Sequence, residues 1–305
     1  MTDHSANWHD FLAPKYWGSW LLIALLRIIA LLPFRLGLAL GAVFGRILYH
    51  LLTSRRHIVE VNVRLCFAEQ SEQQQRQFCK DIFRANGIGL VETAWAYWGD
   101  MQAFRDRTTV IGAELVTEAL AQGKGLIVLG AHFSTLDLGG VLFGCYGIKA
   151  NFVYRRHNNP LMEYMITRKR SRFSTVIERK KFRQMIRCLR NNESIWYAPD
   201  QDFGRKSAVY VPFFGHPAAT IVGTSKMVRL NNSPILMVSH HRRADNSGYI
   251  IEMSKVPGFP SGDETRDAAI VNSTIEREIR KYPEQYMWVH RRFKTQPDGK
   301  HKLYR

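Results

Sequence analysis

From Gly125 onward, short apolar or β-branched runs alternate with segments of helical periodicity. That alternation restricts the fold more than any other feature of the chain. Strands are predicted over 125–129, 150–154, 175–178, 194–198, 235–239 and 249–254. Helices are predicted over 81–97, 115–121, 135–143, 160–173, 181–191, 219–230 and 264–281. The expected fold is α/β, with a mostly parallel central sheet covered by helices. Ligands of such sheets bind outside the carboxyl ends of the strands. His132, Arg155 and Asp200 each follow a predicted strand, so all three are expected on one rim.

Two apolar runs precede this region. Residues 17–34 read WGSWLLIALLRIIALLPF, with Arg27 as the only charge, and residues 36–52 continue LGLALGAVFGRILYHLL. The first is just long enough to cross a bilayer. Gly37, Gly41 and Gly45 give the second a smooth face for close helix packing. Residues 1–15 lack a basic start and carry Asp3 and Asp10, which argues against a cleaved signal peptide. Arg35, Arg46, Arg55 and Arg56 crowd the far side, so the bulk of the chain is expected to face the cytoplasm. The reading is an N-terminal membrane anchor over 1–54, one spanning or deeply inserted helix followed by an interfacial one, and a catalytic domain over 55–305. The alternative is a pair of buried core helices in a soluble domain.

Four scattered cysteines (Cys66, Cys79, Cys145 and Cys188) form no CxxC pair, which argues against a disulfide framework or a structural zinc site. The net charge of +17 calls for an anionic partner. Its excess is concentrated: twelve Lys/Arg stand against only Glu163 and Glu178 between Arg155 and Arg190. That stretch is either a set of solvated helix faces or a surface for a phosphorylated lipid or an acidic carrier protein. No RNP, KH or zinc-finger pattern is present, so nucleic acid is not an expected partner.

GAHFSTLDLGG, at 130–140, places His132 five residues before Asp137. On one helix that offset turns the side chains about 140° apart. They meet only if His132 lies in the turn after the strand and Asp137 in the first helical turn. Asp137 would then orient the imidazole and leave the other ring nitrogen as a base. A structural histidine ahead of a helix is the plainer reading. No GxSxG elbow, Walker loop or helix-opening GxGxxG accompanies it. His240-His241, without HExxH or carboxylates at ligand spacing, reads as a surface strand end, not a metal site. Asp200 and Asp202, in APDQDFG, read either as Mg²⁺ ligands or as a turn held by aspartate side chains. A histidine base beside a basic rim on a membrane-attached chain suits acyl transfer to an alcohol, with no serine or cysteine nucleophile.

These residues bring a resemblance into view. GAHFSTLDLGG, FVYRRHNNPLM, ESIWYAPDQDFG, VYVPFFGHPAAT and, most specifically, PEQYMWVHRRFKTQPDG at 283–299 resemble the bacterial lipid A late acyltransferases, above all their lauroyl-transferring branch. The HxxxxD pattern alone is shared with glycerolipid acyltransferases, whose fold the resemblance implies. It further implies an enzyme of the bacterial inner membrane that moves a fatty acyl chain from acyl carrier protein to a hydroxyacyl chain of a phosphorylated lipid A precursor. No metal and no organic prosthetic group is implied. By position, His132 is the expected base and Asp137 its orienting partner, where many lauroyl-branch members carry glutamate. Arg155 matches a basic residue near the site, and Arg156 replaces an expected proline. Asp200 and Asp202 match an acidic block, and Arg155, Arg156, Lys180 and Lys181 are the expected contacts for an anionic substrate. Two other readings stand beside this one: an inactive module that binds anionic lipid, and a glycerolipid acyltransferase. The latter should show an EG-type signature where this chain has YRRHNNP.

Overall fold

The computed structural model describes residues 7–171, 175–299 and 303–304. In chain order the elements are α1 (Trp17–Ile29), α2 (Phe34–Leu51), α3 (Thr53–Cys66), α4 (Glu72–Trp98), α5 (Met101–Arg105), β1 (Thr108–Ile111), α6 (Ala113–Leu120), β2 (Leu126–Leu129), α7 (Leu136–Cys145) and β3 (Ala150–Tyr154). They continue with α8 (Pro160–Arg170), β4 (Val176–Glu178), α9 (Phe182–Arg190), β5 (Ser194–Tyr197), β6 (Ala208–Phe213), β7 (His216–Ile221), α10 (Gly223–Asn231), β8 (Ile235–Arg242), β9 (Tyr249–Lys255) and α11 (Glu264–Lys281).

Seven strands form one sheet in the order β1-β9-β8-β2-β5-β3-β4. Every neighbouring pair is parallel except β8 and β9. The expected mixed α/β fold with a mostly parallel sheet is therefore present. β2 lies near the middle and is wholly buried, as its unbroken apolar run requires. Its alternate residues feed two cores. Ile127 and Leu129 join the cluster containing Val63, Met185 and Ile275, whereas Leu126 and Val128 join the one containing Ile88, Trp95 and Leu142.

Several predicted boundaries change. β6 and β7 form a separate antiparallel hairpin. The helix expected over 219–230 therefore begins only at Gly223, because Ala219–Ile221 pair with Ala208–Tyr210. β1 was absent from the predicted strands; only its pairing with β9 makes the short segment a strand. α4 starts well before residue 81, behind a Ser71–Gln74 capping box. α8 ends at Arg170, and positions 172–173 of the predicted helix lie outside the described residues. β8 reaches Arg242, so His240 and His241 are buried within it and form no surface strand end.

The N-terminal part divides into two apolar helices. Pro33 lies near the end of the first apolar run, where α1 stops after 13 residues, about 20 Å, short of the roughly 30 Å hydrocarbon core. Among the described residues α2 is the one helix long and apolar enough to cross a membrane, by length and composition, but one of its faces is already used. Gly37, Gly41 and Gly45 lie against α4, and a Cβ at Gly45 would sit 2.3 Å from the Phe83 carbonyl oxygen. α4 reciprocates with Gly87, where a Cβ would come within 2.3 Å of the Gly41 oxygen. Backbone meets backbone here, so nothing flexible is available to yield. Gly87→Ala should therefore destabilise the protein by about 1–3 kcal/mol through overpacking. Equilibrium denaturation in detergent measures it, and an unchanged midpoint would refute the close contact. The outer faces of α1 and α2 and the turn between them remain apolar and exposed, with Leu21, Leu31 and Leu51 at 73%, 82% and 69%.

Candidate active site

The site occupies the carboxyl ends of β2, β3, β4 and β5. There a cavity of about 880 Å³ is lined by His132, Asp137, Arg155, Lys180 and Asp202, among others. His132 follows β2 in a turn outside α7, as its spacing to Asp137 required. That turn is held on three sides. The His132 N–H donates to Asp200 Oδ2 at 2.9 Å, the His132 carbonyl accepts from Met287 N at 2.9 Å, and Ser134 N donates to the Gln285 carbonyl at 2.7 Å.

Asp137 does not hold the imidazole. His132 Nδ1 lies 2.7 Å from Asp200 Oδ1, a carboxylate with no exposed surface. An ionised carboxylate only accepts, so Nδ1 carries the proton and Nε2 has the free lone pair. The ring keeps 20% of its side-chain surface, and it lines the cavity. Burial favours the neutral ring, but the charge of Asp200 and its hydrogen bond outweigh burial and raise the His132 pKa above its ordinary 6.5. Burial likewise opposes ionisation of Asp200, yet His132 holds that carboxyl down at about 2.

Asp137 is instead bound to Arg170. Its Oδ1 accepts from Arg170 Nη2 at 2.6 Å, from Arg170 Nε at 3.1 Å and from the Tyr97 hydroxyl at 2.9 Å. The five-residue spacing does bring Asp137 to the same cavity as His132. However, the last residue of α8 reaches it there, and the contact holds a guanidinium at the cavity wall.

The remaining predicted residues separate. Arg155 follows β3 directly, lines the cavity and makes no hydrogen bond or ion pair with a described residue. Lys180 also lines it. Arg156 and Lys181 are exposed outside the lining. Asp202 borders the cavity but both its oxygens are engaged: Oδ1 accepts from Gly204 N and the Thr295 hydroxyl, and Oδ2 from Thr295 N. It is the aspartate-held turn, not a free substrate contact. No group of three or more His, Cys, Asp or Glu among the described residues is arranged to hold a metal ion.

Sequence reasoning gave no role to Tyr97 or His290 and counted Arg170 only within the basic stretch; all three are in the cavity wall. His290 Nε2 accepts from Asp202 N at 3.0 Å, and burial lowers its pKa to about 4. It belongs to the 283–299 block that carried the most specific resemblance. This block underlies the site: the Tyr286 hydroxyl reaches the Asp200 carbonyl at 3.4 Å, and Phe133 bridges to Tyr286.

A family model described as bacterial lipid A biosynthesis acyltransferase matches residues 6–295. The chain belongs to this family. It is therefore an acyltransferase of lipid A biosynthesis, and the resemblance read from the motifs stands. A lipid A biosynthesis palmitoleoyltransferase of Escherichia coli K12 is 38% identical to this acyltransferase over 97% of each chain. A lauroyltransferase of the same organism is 38% identical over 94% of this chain and 95% of its own. A myristoyltransferase from that organism is 24% identical over 97% and 93%. The acyltransferase thus stands nearer to the first two than to the third.

Proposed function

We propose that this acyltransferase moves a fatty acyl chain, in the lauroyl-to-palmitoleoyl range, from acyl carrier protein to a hydroxyl on a hydroxyacyl chain of a phosphorylated lipid A precursor. The observation that carries the mechanism is the 2.7 Å contact between His132 Nδ1 and Asp200, which leaves Nε2 as the base. Nε2 takes the acceptor hydroxyl proton as that oxygen attacks the thioester carbonyl carbon. Arg170, held by Asp137, stabilises the oxyanion of the tetrahedral intermediate. Collapse breaks the carbon–sulfur bond, and the departing carrier thiolate takes the proton back from the imidazolium. The residues supply all of this chemistry, so no cofactor is assigned.

Arg155 and Lys180 are cations on the cavity wall and suit the phosphates of the acceptor. The exposed apolar faces of α1 and α2 suit insertion into the cytoplasmic leaflet of the inner membrane, with α2 packed on α4 and not running free. This reading retains residues 1–54 as the membrane-binding part and 55–305 as the catalytic part.

The test is reconstitution of purified protein with acyl carrier thioester and a phosphorylated lipid A precursor, followed by mass spectrometry. One added acyl group on the precursor is expected. Preferential acylation of a lysophosphatidic acid would replace this reading with the glycerolipid one, and binding without turnover would make the protein a lipid-binding module. Within the same assay, Arg155→Ala should lower kcat/KM at least about tenfold, or ~1.4 kcal/mol. Arg156→Ala, outside the cavity, should remain near wild type. The reverse result would displace the phosphate site by one residue.

A further inference from the structure

The basic stretch separates into two groups once folded. Arg170 is bound to Asp137, Arg168 hydrogen-bonds the Tyr164 hydroxyl, and the Arg179 guanidinium lies over the Phe203 ring. α9 differs. It buries Met185, Ile186, Cys188 and Leu189 and exposes Arg183, Arg187 and Arg190. Their i, i+4, i+7 spacing aligns three guanidinium groups along one face. None makes a hydrogen bond or ion pair with a described residue. Between Arg179 and Asn192 the sequence has six Lys/Arg and no acidic residue. Like charges one turn apart destabilise a helix, so the stripe opposes the helix that carries it.

Its position is informative. α9 begins two residues after Lys180, a cavity-wall residue, so the stripe starts at the rim and extends away for about 13 Å. α8, on the preceding side of the cavity, packs Leu161 against Phe11 and Ile23 of the apolar N-terminal part. The large exposed apolar side chains lie mainly on α1 and α2, and α9 has none. α9 thus offers a partner charge and no large exposed apolar side chain.

We propose that the Arg183–Arg187–Arg190 face of α9 docks an acidic helix of the acyl carrier protein and delivers its thioester arm past Lys180 into the cavity. The inference rests on the carrier-donor reading above and adds where the carrier binds. Complementary charge on an exposed face acts mainly on encounter, so it should appear in KM and in salt dependence more than in kcat.

The experiment compares wild type with the triple variant R183E/R187E/R190E, and with a milder triple-Gln variant. Each is assayed on one acyl chain carried either by acyl carrier protein or by free pantetheine. Thermal melts check that the variants fold. The charge-reversed protein should show at least a tenfold higher KM for the carrier thioester, flattened salt dependence, and unchanged turnover of the pantetheine thioester. The Gln variant should show a smaller rise of the same sign. Should wild type prefer the carrier thioester while neither variant changes its KM, the docking site is wrong and the donor reading survives. Equal use of both thioesters by wild type would overturn the donor reading and the docking site together. Equal loss on both donors, or lost binding to anionic vesicles with carrier KM unchanged, would assign the stripe to the lipid and also overturn the proposal.

Discussion

His132→Ala is expected to lower turnover by ~10²–10⁴ while membrane association and the fold persist, because it removes the proposed base. The informative comparison is between the two carboxylates. Asp200→Asn should approach His132→Ala in severity, since an amide keeps the shape but gives the imidazolium no counter-charge. Asp137→Asn should be milder: it loosens Arg170 and leaves His132–Asp200 intact. The pH profile separates them further. In the proposed mechanism the neutral ring is the base, and Asp200 raises its pKa above 6.5, so the wild-type rate is expected to rise with pH through a limb above that value. In Asp200→Asn burial acts unopposed, and the limb should shift to lower pH as the plateau falls. Asp137→Asn, which leaves the Asp200 contact in place, should move the limb much less than Asp200→Asn does. If Asp137→Asn shifted it downward and Asp200→Asn did not, Asp137 would be the orienting carboxylate after all.

The second large effect lies beneath the site. Arg242 Nη1 and Glu92 Oε1 meet at 2.7 Å with 5% and 0% of their side chains exposed, and the Tyr249 hydroxyl donates to the same oxygen at 2.9 Å. Glu92→Ala strands the guanidinium in the core and should cost about 3–5 kcal/mol. Replacing both partners, as Glu92→Leu with Arg242→Met, should recover most of that, because no buried charge is left unpaired. Denaturant unfolding of the single and double variants reads the difference. Equal losses in both would mean that packing, not charge, holds this position. The pair is also connected to the histidine turn. Gln285 accepts from Arg242 N and donates to Arg242 O, and its own carbonyl receives Ser134 N beside the base.

Local pattern was enough to read the sheet and its rim. β3 spans the predicted 150–154, and β2, β5 and β9 fall within a residue of expectation, because each is an apolar or β-branched run bounded by turn residues. The same pattern put His132, Arg155 and Asp200 at strand ends. Pairing choices were not legible. Asp137 has the same spacing from His132 whichever cation or ring it meets, and only the arrival of α8 assigns it Arg170. Likewise the Val209–Val211 segment becomes a strand through its partner Ala218–Thr220, which alone reads as the start of a helix. Gly37, Gly41 and Gly45 signalled close packing correctly, but the sequence did not say whether lipid, another chain or α4 would fill the groove.

The dependence of the histidine turn on residues 283–288 has a consequence in time. The strand and turn that contain His132 leave the ribosome early, and Asp200 follows, yet Gln285 and Met287 emerge about 150 residues later at an elongation rate of roughly 5–20 residues per second. For many seconds the nascent chain therefore contains the whole HxxxxD motif without the contacts that fix the His132 turn. β1 also waits for β9 before it can pair. Catalytic competence is thus among the last properties the growing polypeptide acquires, and ribosome-stalled chains ending before 283 should reach the membrane inactive.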